Sequence, residues 1–109
     1  MKNRRQKILE DAWIGDAVLS LFARRHILAE HGEANSRQLE RMTSNQFLAG
    51  IGEPSSIEAR IGRVYAEGGL EAAFRWIEEN LMPLYRRQEE KRQRASSQRS
   101  TKARSLDKA

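Results

Sequence analysis

The segment from residue 4 to residue 31 constrains the fold most, because it lacks proline and its apolar residues point in almost every direction of a helical wheel. These residues are Ile8, Leu9, Ala12, Trp13, Ile14, Ala17, Val18, Leu19, Leu21, Phe22, Ile27 and Leu28. A helix of this kind needs cover on most sides. The rest of a 109-residue chain is too small to supply all of it, so we expect an uncovered apolar patch of the kind that marks an interface.

Three further helices are predicted downstream, and no strand pattern competes with them. Their boundaries come from residues that end or cap helices: Gly32, Asn35 with Gln38 in capping-box register, the turn at 50–55, Gly68 with Gly69, and Pro83. The sequence therefore predicts an all-α domain of about four main helices over residues 1–85.

The positive charge lies outside this domain. The chain carries 20 Lys and Arg against 15 Asp and Glu, and nine of the basic but only three of the acidic residues occur in residues 86–109. From Ala95 onward this segment has one leucine and no aromatic residue, so we expect a basic tail that is helical at first and then disordered. Such a tail either contacts phosphates or only solubilises the protein. The candidate RNA-binding residues are Arg86, Arg87, Lys91, Arg92 and Arg94.

Several classes of protein are excluded or disfavoured by composition. The chain has no cysteine, which removes disulfides, thiol nucleophiles and Cys-ligated zinc and agrees with a cytoplasmic protein. His26 and His31 are five positions apart, which does not place them side by side on a helix as zinc ligands. No apolar run reaches the roughly 18 residues of a membrane span, so no membrane partner is expected.

Two acidic residues stand beside helical glycines. Asp16 follows Gly15 within the most apolar helix, where an ionised carboxylate is costly unless a cation, a metal or hydrogen-bond donors face it. Glu58 precedes Gly62 by one turn on the third helix. A glycine inside a helix usually marks the close approach of another backbone or of a ligand.

Structural explanations compete with a functional one for both acids. Glu58 follows Ser55 by three positions, as in a capping box, and could serve only to cap its helix. Asp16 could be held in an ion pair by Arg60 or Arg63. Asp11 and Glu67 lie nearby but point elsewhere on their helices, and we expect both to be surface charges.

Three segments together resemble the nuclease domain of ribonuclease III. Residues 13–19 (WIGDAVL) resemble its signature helix, residues 58–62 (EARIG) with 65–73 (YAEGGLEAA) resemble its other acidic motif, and residues 39–49 (LERMTSNQFLA) are similar to the helix between them. They occur in the family's order over roughly residues 9 to 80.

The family presents four acidic residues, and two of them are retained here. Ala12 and Ser55 stand at the first and third positions, while Asp16 and Glu58 keep the other two. This pattern resembles the Mini-ribonuclease III branch, which lacks a C-terminal RNA-binding domain. Only 41 residues separate Asp16 from Glu58, fewer than is usual in the family, and the shortening falls in the turn at 50–55.

The resemblance implies a Mg²⁺-dependent endoribonuclease that hydrolyses double-stranded RNA, as similar proteins do in ribosomal RNA maturation. Asp16 and Glu58 would be the catalytic metal ligands, with Mn²⁺ as a substitute ion. The family acts as a homodimer, and Trp13 stands where an aromatic side chain enters the partner; a tryptophan in the core of the same subunit is the alternative.

Two other functions compete with the nuclease. The first is a catalytically inactive, ribonuclease III-like protein that binds RNA or associates with the ribosome, which the losses at Ala12 and Ser55 favour. The second is a helical dimerisation module whose tail contacts nucleic acid. Retention of both Asp16 and Glu58 favours the nuclease.

Overall fold

Five helices make up the described part of the chain, with no strand among them. The computed structural model describes the backbone of residues 2–107 and the side chains of residues 2–97. The helices are α1 (Arg4–His31), α2 (Ser36–Thr43), α3 (Asn45–Ala49), α4 (Pro54–Asn80) and α5 (Met82–Asp107). The predicted all-α class is confirmed.

Helix boundaries follow local capping. Gly32 ends α1 in a left-handed conformation (φ 76°), and Asn35 caps α2 by accepting a hydrogen bond from the Gln38 N–H at 3.0 Å, both as predicted. Ser44 separates α2 from α3, because its extended backbone breaks the helix and its hydroxyl accepts a hydrogen bond from the Phe47 N–H. The second predicted helix is therefore two short ones.

The predicted third and fourth helices are the two halves of α4. They meet at Gly69, whose φ of 80° and ψ of −173° are not helical, so the chain bends where the sequence predicts a stop. Pro83 does not end a helix; it lies in the first turn of α5, where a missing N–H costs no helical hydrogen bond.

The core forms where α1 packs along α4 and the shorter helices close the open end. Its fully buried large side chains are Leu19, Ile27, Leu48, Ile61, Ile77, Leu81 and Met82. Phe22 meets Phe74 edge to face with ring centres 5.3 Å apart. The Gln38 amide, predicted to complete a capping box, instead donates a buried hydrogen bond of 2.9 Å to the Tyr85 hydroxyl and so ties α2 to α5.

The basic segment leaves the core along α5. Residues 90–97 have exposed side chains, in agreement with a tail outside the domain. Its backbone is helical to Asp107, and the disorder predicted from Ala95 onward stays a prediction. The local composition favours a helix here, because Arg, Gln, Lys and Ala are good helix formers and Glu90 and Arg94 are spaced to interact along the helix. Residues 108 and 109 lie outside the described residues.

Candidate metal centre at the crossing of two helices

Helices α1 and α4 touch backbone to backbone at two glycines. A Cβ atom on Gly15 would lie 1.7 Å from the Glu58 carbonyl oxygen, and a Cβ atom on Gly62 would lie 1.9 Å from the Asp11 carbonyl oxygen. No side chain fits in either place. The prediction that these glycines mark the approach of another backbone is confirmed: Gly15 meets the backbone of α4, and Gly62 meets the backbone of α1.

This crossing brings the two predicted site acids together. Asp16 follows Gly15 on α1, and Glu58 is the residue whose carbonyl meets Gly15 from α4. The pKa of Glu58 is raised to about 7, first by burial, then by a side-chain hydrogen bond to Asp16 and by the negative charge of Asp16, with a smaller effect of the charge on Glu53. The two carboxyl groups therefore interact directly and resist being ionised together.

The burial of the pair is unequal, which corrects one expectation. Asp16 is exposed and Glu58 is only partly accessible. The sequence predicted that Asp16 would be desolvated, because it lies in an apolar helix. That was wrong for the single chain, because within the described residues no other element buries the Asp16 side chain. The cost of desolvation falls on Glu58 instead.

Neither structural explanation for the two acids is seen in the structure. Among the side chains described, neither Asp16 nor Glu58 forms an ion pair, so no arginine holds Asp16. The cap of α4 is Glu53, whose carboxylate accepts hydrogen bonds from the N–H groups of Ser55 at 3.1 Å and Ser56 at 2.7 Å. Glu58 lies a full turn beyond the cap.

Glu53 is the residue that the sequence reasoning missed. It adds negative charge near the pair and is fully engaged as a cap, so its pKa is lowered, chiefly by the hydrogen bond from the Ser56 hydroxyl. The signal in the sequence is an acidic residue directly before Pro54, because proline favours the first helical position.

The other candidate residues have different surroundings. Asp11 was predicted to be a surface charge, but its Oδ2 atom is buried without a hydrogen-bond partner; Glu67 is exposed as predicted. His26 lies 2.8 Å from Glu30 on the next turn of α1. The five basic candidates of the tail are all exposed on α5.

Two carboxylates are enough for one metal ion of the predicted kind. Within residues 2–97 no group of three or more His, Asp or Glu side chains is arranged to hold a metal. Mg²⁺ commonly takes one or two protein carboxylates and completes its octahedron with waters and substrate phosphates. Two crowded carboxyl groups without a cation present the charge and the oxygen donors that such an ion would neutralise, so the residues fit it.

Trp13 lies on the surface of α1. It is 78% exposed, which rules out the alternative of a core tryptophan within one chain. The large apolar side chains that share its exposure are Leu9, Ile14, Leu21 and Leu28 on α1 and Tyr65 on α4, and we call this set the α1 face. The expected uncovered patch is thus present, and Asp16 lies at its edge.

Comparisons with known proteins add no relative: no family model, no curated protein and no solved structure matches the chain. Across the described residues, none of the helices combines the length and the apolarity needed to cross a membrane.

Proposed function

We propose that the protein is a metal-dependent endoribonuclease that cuts double-stranded RNA as a homodimer. The observation that carries the proposal is the carboxylate pair of Asp16 and Glu58, which interacts across a rigid backbone contact and lacks a cationic partner among the described residues. Two neighbouring carboxyl groups without a cation destabilise a folded protein, and groups perturbed in this way cluster at functional sites. The resemblance of three segments, in the same order, to ribonuclease III suggests that the function of this pair is to bind the catalytic metal ion.

Asp16 and Glu58 would hold Mg²⁺, or Mn²⁺ in its place. When bound, the ion polarises the scissile phosphate and makes water a stronger nucleophile at neutral pH. Glu58 has to give up the proton that it retains up to a pH of about 7, so ion binding releases a proton. The glycine contact fixes the distance between the two helices, and hence the spacing of the two ligands.

The α1 face supports the homodimer. A tryptophan exposed by 78%, with four other exposed apolar side chains along the same helix, is the kind of surface that another protein covers. Because Asp16 borders this face, pairing two copies through it would bury part of each site and bring two sites into one assembly. Two sites are what cutting both strands of a duplex requires.

A catalytically inactive RNA-binding or ribosome-associated protein is the second candidate. It is favoured by Ala12 and Ser55 and by the absence, in residues 2–97, of a third ligand in reach of the pair. For either candidate the substrate or partner class is structured RNA, with ribosomal RNA precursors as the proposed example and the cytoplasm as the proposed location.

The deciding experiment incubates the full chain with duplex RNA in Mg²⁺, in Mn²⁺ and in a chelator. We expect cleavage with either ion, none with the chelator, and a loss of at least about a hundredfold in Asp16→Asn and in Glu58→Gln, because each variant removes one of two ligands. Glu67→Gln, an exposed acid on α4, is the matched control and should retain activity. Cleavage that survives in both site variants would reject the site, and a wild type inactive with every ion would favour the RNA-binding protein.

A further inference from the structure

The five basic candidates of α5 are not equivalent, because two of them already have acidic partners. Arg86 forms an ion pair with Glu78 of α4, and Arg94 lies 3.6 Å from Glu90 one turn earlier. Arg87, Lys91 and Arg92 form no ion pair or hydrogen bond with any described side chain. Arg92 follows Glu89 by three positions and lines a cavity with Arg41 and Ser44, so it lies on the side of α5 that faces the rest of the domain. The unpaired positive charge on the other side of α5 is therefore that of Arg87 and Lys91.

The orientation of Arg87 and Lys91 is set by the contacts that anchor the start of α5. Tyr85 accepts the buried hydrogen bond from Gln38, and the carboxylate of Glu89 accepts one of 2.7 Å from Arg41, so both residues face the core. Arg87 lies two residues from each anchor, or about 200° around the helix. It therefore points away from the core.

Lys91 follows Arg87 by four positions, so the two cations lie one above the other on this outer face. Like charges at that spacing destabilise a helix, and a row of anions laid against them removes the repulsion. The phosphates of a nucleic acid form such a row, and they need no base-specific contact.

We propose that the outer face of α5, through Arg87 and Lys91, is the docking surface for the phosphate backbone of duplex RNA, separate from the carboxylate pair that would cut it. The choice of RNA as occupant rests on the proposed function. Arg86 and Arg94 contribute less, because an RNA phosphate has to compete with Glu78 and Glu90 for them. The surface grips RNA without sequence preference, as expected for contacts to phosphates alone.

The test compares two double variants of the full chain that lose the same charge. R87Q/K91Q removes the two unpaired cations of the outer face, and R86Q/R94Q removes the two cations that have acidic partners. Glutamine forms helices well, so circular dichroism should show equal helix content. Binding to a short RNA duplex of arbitrary sequence is measured in chelator at several salt concentrations.

We expect R87Q/K91Q to reduce the slope of log affinity against log salt by about 2, which is one phosphate contact for each residue, and R86Q/R94Q to reduce it by about 1 or less. Equal changes in the two variants would mean that net charge alone matters and would overturn the proposal. An unchanged slope in R87Q/K91Q would overturn it as well. Polyglutamate is the second probe. Binding of polyglutamate through Arg87 and Lys91, with no binding of RNA, would assign the surface to an acidic protein instead.

Because binding is measured without metal, its outcome is independent of the nuclease. If RNA is bound through Arg87 and Lys91 but is never cut, the docking surface is supported and the nuclease activity is rejected. If the wild type and R87Q/K91Q cut RNA with the same salt dependence, the nuclease activity is supported and the docking surface is rejected.

Discussion

At the scale of single residues, the lack of a side chain at Gly15 and at Gly62 decides how closely α1 and α4 approach. Gly15→Ala would place a Cβ atom 1.7 Å from a backbone oxygen that has no room to move, so we expect the free energy of unfolding to fall by about 3 kcal/mol or more. Urea unfolding measures it. Gly50→Ala is the control, because its Cβ would meet the flexible end of Leu84 at 2.9 Å and the Phe47 carbonyl oxygen only at 3.3 Å, so it should cost far less.

The carboxyl group of Glu58 should make stability depend on pH. In the folded chain it keeps its proton up to about pH 7, whereas in the unfolded chain it loses the proton near its ordinary value of 4.5. The folded state then binds more protons at Glu58 between these values, so the contribution of this group to stability is fully present below 4.5 and is lost as the pH rises through about 7. We expect the melting temperature to fall across this window and the fall to flatten in Glu58→Gln.

Added Mg²⁺ provides the complementary measurement at the same residue. At a pH above 7 the Glu58 carboxyl group has lost its proton, and an ion held between it and Asp16 should raise the melting temperature of the wild type. Glu58→Gln should not respond. An equal rise in both proteins would contradict a metal site at this pair.

Asp11 carries a cost that no contact in the structure offsets. Its Oδ2 atom is buried without a hydrogen-bond partner, beside the Gly62 contact. Asp11→Ala should therefore raise the free energy of unfolding by about 1 kcal/mol, because it removes an unsatisfied oxygen and adds a better helix former. Glu67→Ala, at an exposed position of α4, should change stability by less than about 0.5 kcal/mol. Destabilisation by Asp11→Ala would mean that the oxygen has a partner.

At the scale of elements, the bend in α4 depends on one backbone conformation. Gly69 has φ 80° and ψ −173°, a region that only glycine occupies readily, whereas Gly32 has φ 76° and ψ −1° in the ordinary left-handed region. No neighbouring atom crowds either Cβ position, so substitution tests the backbone alone. We expect Gly69→Ala to cost about 2 to 3 kcal/mol and Gly32→Ala about 1 kcal/mol. Thermal unfolding of the two variants gives the comparison, and equal losses would contradict the assigned bend.

The elements themselves could largely be predicted, because their signals are local. Asn35 caps the helix that it was expected to cap, and the break at Gly69 falls where two adjacent glycines stand. The division at Ser44 was missed, because a serine within an apolar pattern is a weak stop signal unless its hydroxyl is seen to cap the next helix.

At the scale of the whole molecule, the α1 face remains uncovered in a single chain. If it joins two copies, Trp13→Arg should weaken the dimer by at least tenfold, or about 1.4 kcal/mol, because a charge replaces an apolar anchor. Sedimentation equilibrium measures the change, and Arg63→Ala, exposed on α4, is the control. A wild type that stays monomeric at high concentration would reject the homodimer.

The local sequence alone determined the all-α class, the end of α1, the start of α2 and the break within α4, since capping, backbone freedom and helical periodicity are properties of neighbouring residues. The pairing of Asp16 with Glu58 came from resemblance, and the nuclease activity stays a prediction. Only the tertiary structure decided that Glu58 is desolvated rather than Asp16, that Glu53 is the cap, and that Trp13 faces outward. Each of these depends on the angle and register at which α4 crosses α1, and that register is fixed by contacts between residues more than forty positions apart, such as Gly15 with Glu58.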